Sequence, residues 1–164
     1  MDSKPCKTVT RKKILVIPYT LSRINGRIVV KYVMVKDHKT NEWGFISGGV
    51  KKGEKFENAA RRELSEETSE LISFPNNTKL CKTFRFDTLY RPNDFKKIDN
   101  HRREIVNSRY KTFMFAIDYF DDVKHEFIEN KEVVAIDLRE YEDFKKNDEK
   151  IWSFCEDVYT NYLK

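Results

Sequence analysis

The stretch GGVKKGEKFENAARRELSEETSEL, Gly48 to Leu71, opens on paired glycines and passes a second glycine-marked turn at Lys51-Lys52-Gly53. It then runs from Lys55 to about Thr68 without glycine or proline. Phe56, Ala59, Ala60 and Leu64 recur at helical spacing, which predicts an amphipathic helix laid on a sheet. On that helix Glu63, Glu66 and Glu67 fall at i, i+3 and i+4 and project from one face. Like charges so placed cost roughly a few tenths of a kcal/mol per pair in an isolated helix, and more where partly buried. Two arrangements relieve this. The glutamates can pair with lysines on a solvated face, or they can hold a hard divalent cation. Mg2+ or Mn2+ takes one or two carboxylates, keeps waters and completes its shell with phosphate oxygens, so the second arrangement implies phosphoryl chemistry.

Outward from the helix, Lys12–Thr20 and Arg27–Asp37 are β-branched runs joined through Asn25-Gly26, a hairpin signal. A short strand is expected around Trp43–Ile46. Beyond a turn at Phe74–Thr78, further strands are expected over Leu80–Tyr90, Arg109–Phe120 and Glu132–Leu138, with the segment from Arg91 to Ser108 as a long basic connection. Ile151, Trp152, Phe154, Cys155, Val158, Tyr159 and Tyr162 predict a C-terminal helix over Asp148–Leu163. No repeat, low-complexity segment or linker interrupts this order, and residues 1–164 read as a single domain.

The chain is 36% charged and 39% hydrophobic, with 12 Phe and 8 Tyr, so it carries core formers and is not disordered by composition. No apolar run approaches the roughly 20 residues of a membrane span, and the N-terminal residues lack a signal-peptide core. Cys6, Cys81 and Cys155 suggest neither a disulfide framework nor a thiolate zinc site. An intracellular, cytoplasmic location is therefore expected. The net charge of +5 conceals an asymmetry. Residues 1–53 hold twelve bases and three acids, 54–70 three and six, 79–111 ten and four, and 118–164 seven and fourteen. Basic sequence beside an acidic pocket suits a polyanion brought to a metal ion.

The longer register is Gly48, five residues, Glu54, seven residues, then Arg62-Glu63-Leu64-Ser65-Glu66-Glu67. It closely resembles the Nudix box, the loop-helix-loop signature of hydrolases acting on nucleoside diphosphates linked to another group. The resemblance implies an α/β fold, an alpha-beta-alpha sandwich with a mixed sheet and a catalytic loop-helix-loop, and Mg2+ or Mn2+ as cofactor. It makes Glu63, Glu66 and Glu67 metal-binding carboxylates, with Glu63 or Glu67 aiding deprotonation of the attacking water. Gly48 matches the glycine whose carbonyl adds a ligand. Glu54 and Arg62 match the pair that ties loop to helix, and Leu64 the apolar anchor. The box departs from the family at its edges: Ser47 stands where Pro is frequent, and Ser69-Glu70 where Gly and an apolar residue usually close it. Ser69 therefore implies that the helix runs on or ends in a different turn.

A further base outside the box is common in the family, and Glu129 and Glu132 are the candidates. Trp43 is a candidate either to pack in the core or to stack on a base. Arg102, Arg103 and Arg109, with Lys96, Lys97 and His101, make the 91–111 segment a candidate substrate contact. Together these favour a highly phosphorylated substrate, for which a nucleotide or capped RNA is the expected partner rather than DNA or a membrane. Diphosphoinositol polyphosphates, dinucleoside polyphosphates and free nucleotides stay open, as does a non-catalytic nucleotide-binding or regulatory module of the same fold. Nothing in the sequence speaks to oligomeric state.

Overall fold

The computed structural model describes residues 6–75, 83–99, 102–146 and 149–164. β1 (Cys6–Ile24) and β2 (Arg27–Asp37) pair antiparallel. Asn25 and Gly26 between them take φ of 51° and 76°, the left-handed two-residue turn that Asn-Gly favours. β3 (Trp43–Gly44) pairs with β2 and β4 (Ile46–Gly49) with β1. The first helix, α1, spans Phe56–Glu67. β5 (Thr83–Asp99) and β6 (Arg102–Ala116) are antiparallel to each other, while β6 lies parallel to β1. Then come α2 (Phe120–Glu126), β7 (Val133–Arg139) against β2, a 3-10 helix (Tyr141–Lys145), α3 (Ser153–Val158) and a π-helical turn (Tyr159–Leu163).

The sheet is mixed and both of its faces are covered, which explains the unbroken apolar run in β1. Ile14 and Val16 point to one side, into a cluster with Ala59, Ala60 and Leu64 of α1 and Phe120 and Val123 of α2. Leu15 and Ile17 point to the other, against Tyr141, Phe144, Phe154 and Val158. The expected sandwich is thus the one formed. Burying Leu64 contributes about 1.5–3 kcal/mol and pins the helix that carries the glutamates. No helix among the described residues is long and apolar enough to cross a membrane.

The expected basic connection is corrected. Described residues within 91–108 belong to β5 and β6, which form a long hairpin rather than two strands joined by a loop. Pro92 and the charge density hide it. Pairing jumps from Tyr90–Asn107 to Phe95–Ile105, and this irregularity takes up the proline, which cannot donate to a ladder. α2 is an added element, where the strand was expected to run on to Phe120. His101, the turn at 76–78, the expected strand start at 80–82 and Asp148 lie outside the described residues, while the helix expected from Asp148 begins only at Ser153, because Ile151 bridges to Trp43 as extended chain.

β1, β6 and β5 also continue past the loop that precedes α1. β4 accompanies β1 only from Lys13 onward, whereas β6 pairs with it from Cys6. The result is a three-stranded ribbon extending from the body of the sheet.

Candidate active site

Arg62 organises the loop. Its Nε and one terminal nitrogen donate to the two Glu54 oxygens at 3.1 and 2.9 Å, and that nitrogen also donates to the Gly49 carbonyl at 3.0 Å. The other terminal nitrogen donates to Glu63 Oε1 at 2.8 Å. Glu54 additionally accepts the Lys51 N–H at 3.0 Å. The planar guanidinium thus ties the loop's carboxylate, a backbone carbonyl and the helix into one unit, a geometry lysine cannot reproduce. The Arg62 hydrogen bonds, followed by that of Lys51, hold Glu54 down to about 2.

Of the three helix glutamates the structure brings Glu63 and Glu66 together with an acid from elsewhere, and Glu67 is not in that group. Glu63, Glu66 and Glu132 each bring a carboxylate oxygen within 4.8 Å of the others. Glu132 sits just ahead of β7 and arrives through the pairing of that strand with β2. Glu129 is exposed and is not brought into this group. Glu67, 8% exposed, turns inward, and its Oε2 has no hydrogen-bond partner. Burial foremost, then the charges of Glu63 and Glu132, raises its carboxyl well above the usual range. Burial likewise raises Glu63, against the opposing pull of Arg62. Gly48 lies against Glu63, where any Cβ would overlap the carboxylate.

The helix ends at Glu67, where a glycine exit would end it, yet on non-glycine residues. Ser69 and Glu70 take φ of 53° and 65°. The Ser69 hydroxyl donates to the Ile128 carbonyl at 2.8 Å and accepts from Asn130 Nδ2 at 3.1 Å. Asn130 also donates to the Glu67 carbonyl at 3.3 Å, while its Oδ1 accepts the N–H groups of Glu132 and Val133 at 3.0 and 2.9 Å. Asn130 therefore clips the loop bearing Glu132 to the end of α1. Sequence reading missed it. Its one local signal was an Asn two residues before a Glu, where an Asn side chain caps its own turn.

Trp43 is corrected. It is 3% exposed, packs on Phe144 at 5.2 Å between ring centres and carries the Arg139 guanidinium on its ring, so it offers no face to a ligand. The tryptophan that lines a cavity is Trp152. Arg109 is exposed and registers with Lys12 at the root of the ribbon. Arg102 and Arg103 lie at its far end. Arg103 is opposite Cys6, eight residues from the level of Gly48 and Lys111, which is about 26 Å along the strands.

Beside the acidic face is a cavity of about 400 Å³ between the end of β2, β3, β4 and the start of α3. Glu67 lines it, together with Asp37, Glu42 and Trp152.

A mixed sheet between helices, with a clamped acidic loop-helix-loop on one face, is the architecture of a pyrophosphohydrolase. The NUDIX domain family model matches residues 20–158, and the chain belongs to that family, whose members act on nucleoside diphosphate derivatives. Among solved structures it resembles the NUDIX domain of Shewanella oneidensis NrtR complexed with ADP ribose, at 13% identity and a TM-score of 0.56, over 98% of this chain and 90% of that one. It resembles a MutT protein from Methanosarcina mazei at 11% identity and 0.54, over 98% and 94%. A NUDIX hydrolase from Nitrosomonas europaea aligns at 13% identity and 0.50, over 94% and 88%. At such identities the likeness is one of fold. No curated protein matches the chain at a significant level.

Proposed function

We propose that the chain hydrolyses a pyrophosphate bond in a nucleoside diphosphate-linked substrate at the Glu63, Glu66 and Glu67 face, with Mg2+ or Mn2+. The convergence of Glu63, Glu66 and Glu132 on one spot carries this reading. The residues fit a hard cation: the carboxylates and the Gly48 carbonyl offer oxygen, Glu67 Oε2 is buried without a partner, and Gly48, lacking a Cβ, lets the Glu63 carboxyl group lie against its backbone. An ion bound there supplies charge neutralisation for substitution at phosphorus. The protein's own groups do the rest. Arg62 keeps Glu63 against Gly48, Leu64 fixes the helix on the sheet, and exposed Glu132 stands where it can take a proton from the attacking water.

Capped RNA is the substrate we favour. The support is the ribbon: Lys7, Arg11, Lys12, Lys96, Lys97, Arg102, Arg103 and Arg109 occupy its three strands. A mononucleotide on the acidic face spans too little to reach Arg103, whereas a polynucleotide can follow the strands. A panel of nucleoside triphosphates, nucleotide sugars, dinucleoside polyphosphates, diphosphoinositol polyphosphates and capped RNA, assayed with each ion, tests the reading. Capped RNA should lead in kcat/KM, and Glu66→Gln should cost several kcal/mol of barrier. A free nucleotide or diphosphoinositol polyphosphate in the lead would displace capped RNA. Binding of one member with no hydrolysis of any would make the chain a non-catalytic module.

A further inference from the structure

The cavity beside Glu67 has a one-sided chemistry. Its charged groups are all carboxylates, from Asp37, Glu42 and Glu67, and its aromatic wall includes the half-buried Trp152. At about 400 Å³ it is large enough for a nucleobase. Glu67 joins the cavity to the acidic face, and its unpartnered, buried Oε2 marks an unmet demand for a donor or a cation at the inner end.

The two outer carboxylates are differently placed. Asp37 Oδ1 accepts the N–H groups of Lys39 and Thr40 at 2.8 and 2.9 Å, so Asp37 shapes its own turn. The resulting loop presents Glu42, whose backbone N–H is held by Thr40 Oγ1 at 3.3 Å and whose carboxylate has no hydrogen bond or ion pair among the described residues. Trp152 is set by backbone and by close approach. Its N–H donates to the Trp43 carbonyl at 2.9 Å. A Cβ built on Gly44 would meet its Cε3 at 3.4 Å, ordinary van der Waals contact, so the side chain packs beside β3.

Thr40, Ser47 and Ser153 also line the cavity and can donate, so discrimination falls to Glu42: the edge of a base that meets this unpaired carboxylate must supply donors. Guanine carries N1–H and N2–H2 side by side and can give both to one carboxylate. Adenine and cytosine set a ring acceptor beside their amine, and uracil flanks its single N–H with two carbonyls, so each of these turns a lone pair toward the carboxylate. We propose that this cavity is a guanine-binding pocket, in which Trp152 stacks on the base and the Glu42 carboxylate accepts from N1–H and N2–H2. The proposal rests on reading the adjoining acidic face as the place where phosphate is cleaved, since that sets the phosphates outward from Glu67.

Guanosine, adenosine and uridine 5′-monophosphates test it without interference from turnover, because none contains a pyrophosphate bond. Calorimetric titration should find the guanine nucleotide bound on the order of 10- to 100-fold more tightly than the others. Glu42→Gln, a change at a half-buried side chain, should abolish that preference while leaving the fold intact. Stacking should quench tryptophan fluorescence, and the quench should vanish in Trp152→Leu, whose remaining tryptophan, Trp43, is buried. Equal affinities in the unaltered protein, or a guanine preference that survives Glu42→Gln, would overturn the pocket assignment. Guanine preference with no hydrolysis of any guanine-containing pyrophosphate would keep the pocket and overturn the hydrolytic reading instead.

Discussion

Gly48 and Glu63 approach so closely that a Cβ on Gly48 would lie inside the Glu63 carboxyl group. Gly48 keeps ordinary strand backbone, so what the position needs is space rather than an unusual φ.

Gly48→Ala should therefore displace Glu63 and break its bond from Arg62 while the sheet stays paired. The expected result is a large fall in kcat and in Mn2+ affinity, with a circular dichroism spectrum and melting temperature close to those of the unaltered protein. Full activity in a folded Gly48→Ala variant would separate Glu63 from the chemistry.

Arg62→Lys keeps the charge but not the fork that reaches Glu54, Gly49 and Glu63 together. Losing an orienting partner of this kind costs roughly 10- to 100-fold in metal affinity or activity. Measured Mn2+ dissociation constants check the first and kcat the second.

Glu54 is held down to about 2 by Arg62, so the stability it contributes is present above its ordinary value of 4.5 and is lost as pH falls toward 2. Glu54→Gln should melt earlier than the unaltered protein at neutral pH, and the two curves should converge in acid. A gap that persists at pH 2 would contradict the Arg62 tether.

The sign reverses at Glu67. Burial raises its carboxyl, so the folded protein favours the protonated form, and the stability that form confers is lost as pH rises through the raised value. Glu67→Gln should accordingly raise the melting temperature of the metal-free protein at neutral and alkaline pH, with the gain shrinking in acid, while abolishing turnover. Added Mn2+ should stabilise the unaltered protein and not the variant.

What could be read without coordinates was what depends on nearby residues. Glu63, Glu66 and Glu67 share a helix face because 3.6 residues make a turn, and Asn25-Gly26 closes a hairpin whatever lies beyond it. Glu132 reaches that face only because β7 pairs with β2, across about a hundred residues of sequence, and Asn130 bonds Ser69, 61 residues away. The tertiary contacts that bury Trp43 under Arg139 and leave Trp152 beside a cavity are likewise beyond what neighbouring residues reveal. The β5–β6 hairpin stayed hidden because Pro92 and dense charge break the alternation on which strand reading relies.

Removing Arg102 and Arg103 together should raise KM for capped RNA with little change in kcat, because these positions stand far from the reacting atoms. It should also flatten the salt dependence of binding, by a slope of roughly 0.7 per lost phosphate contact for a single strand. An unchanged KM and slope would confine recognition to the body of the sheet.

Among the described residues the ribbon has open borders: β1 lacks β4 along its first residues, and β5 ends the strand order. Unpaired strand borders invite the same border of another molecule, and lysine or arginine along them is a common way of preventing self-assembly. Lys7 and Arg11 on β1 and Lys96 and Lys97 on β5 stand along these strands, and on the proposed reading their charge would keep copies of the chain apart as well as attract anions. Neutralising these residues as a test of the capped-RNA proposal should therefore also promote self-association. Exchange of bases for acids, which restores repulsion with the opposite sign, is the substitution that keeps the protein dispersed.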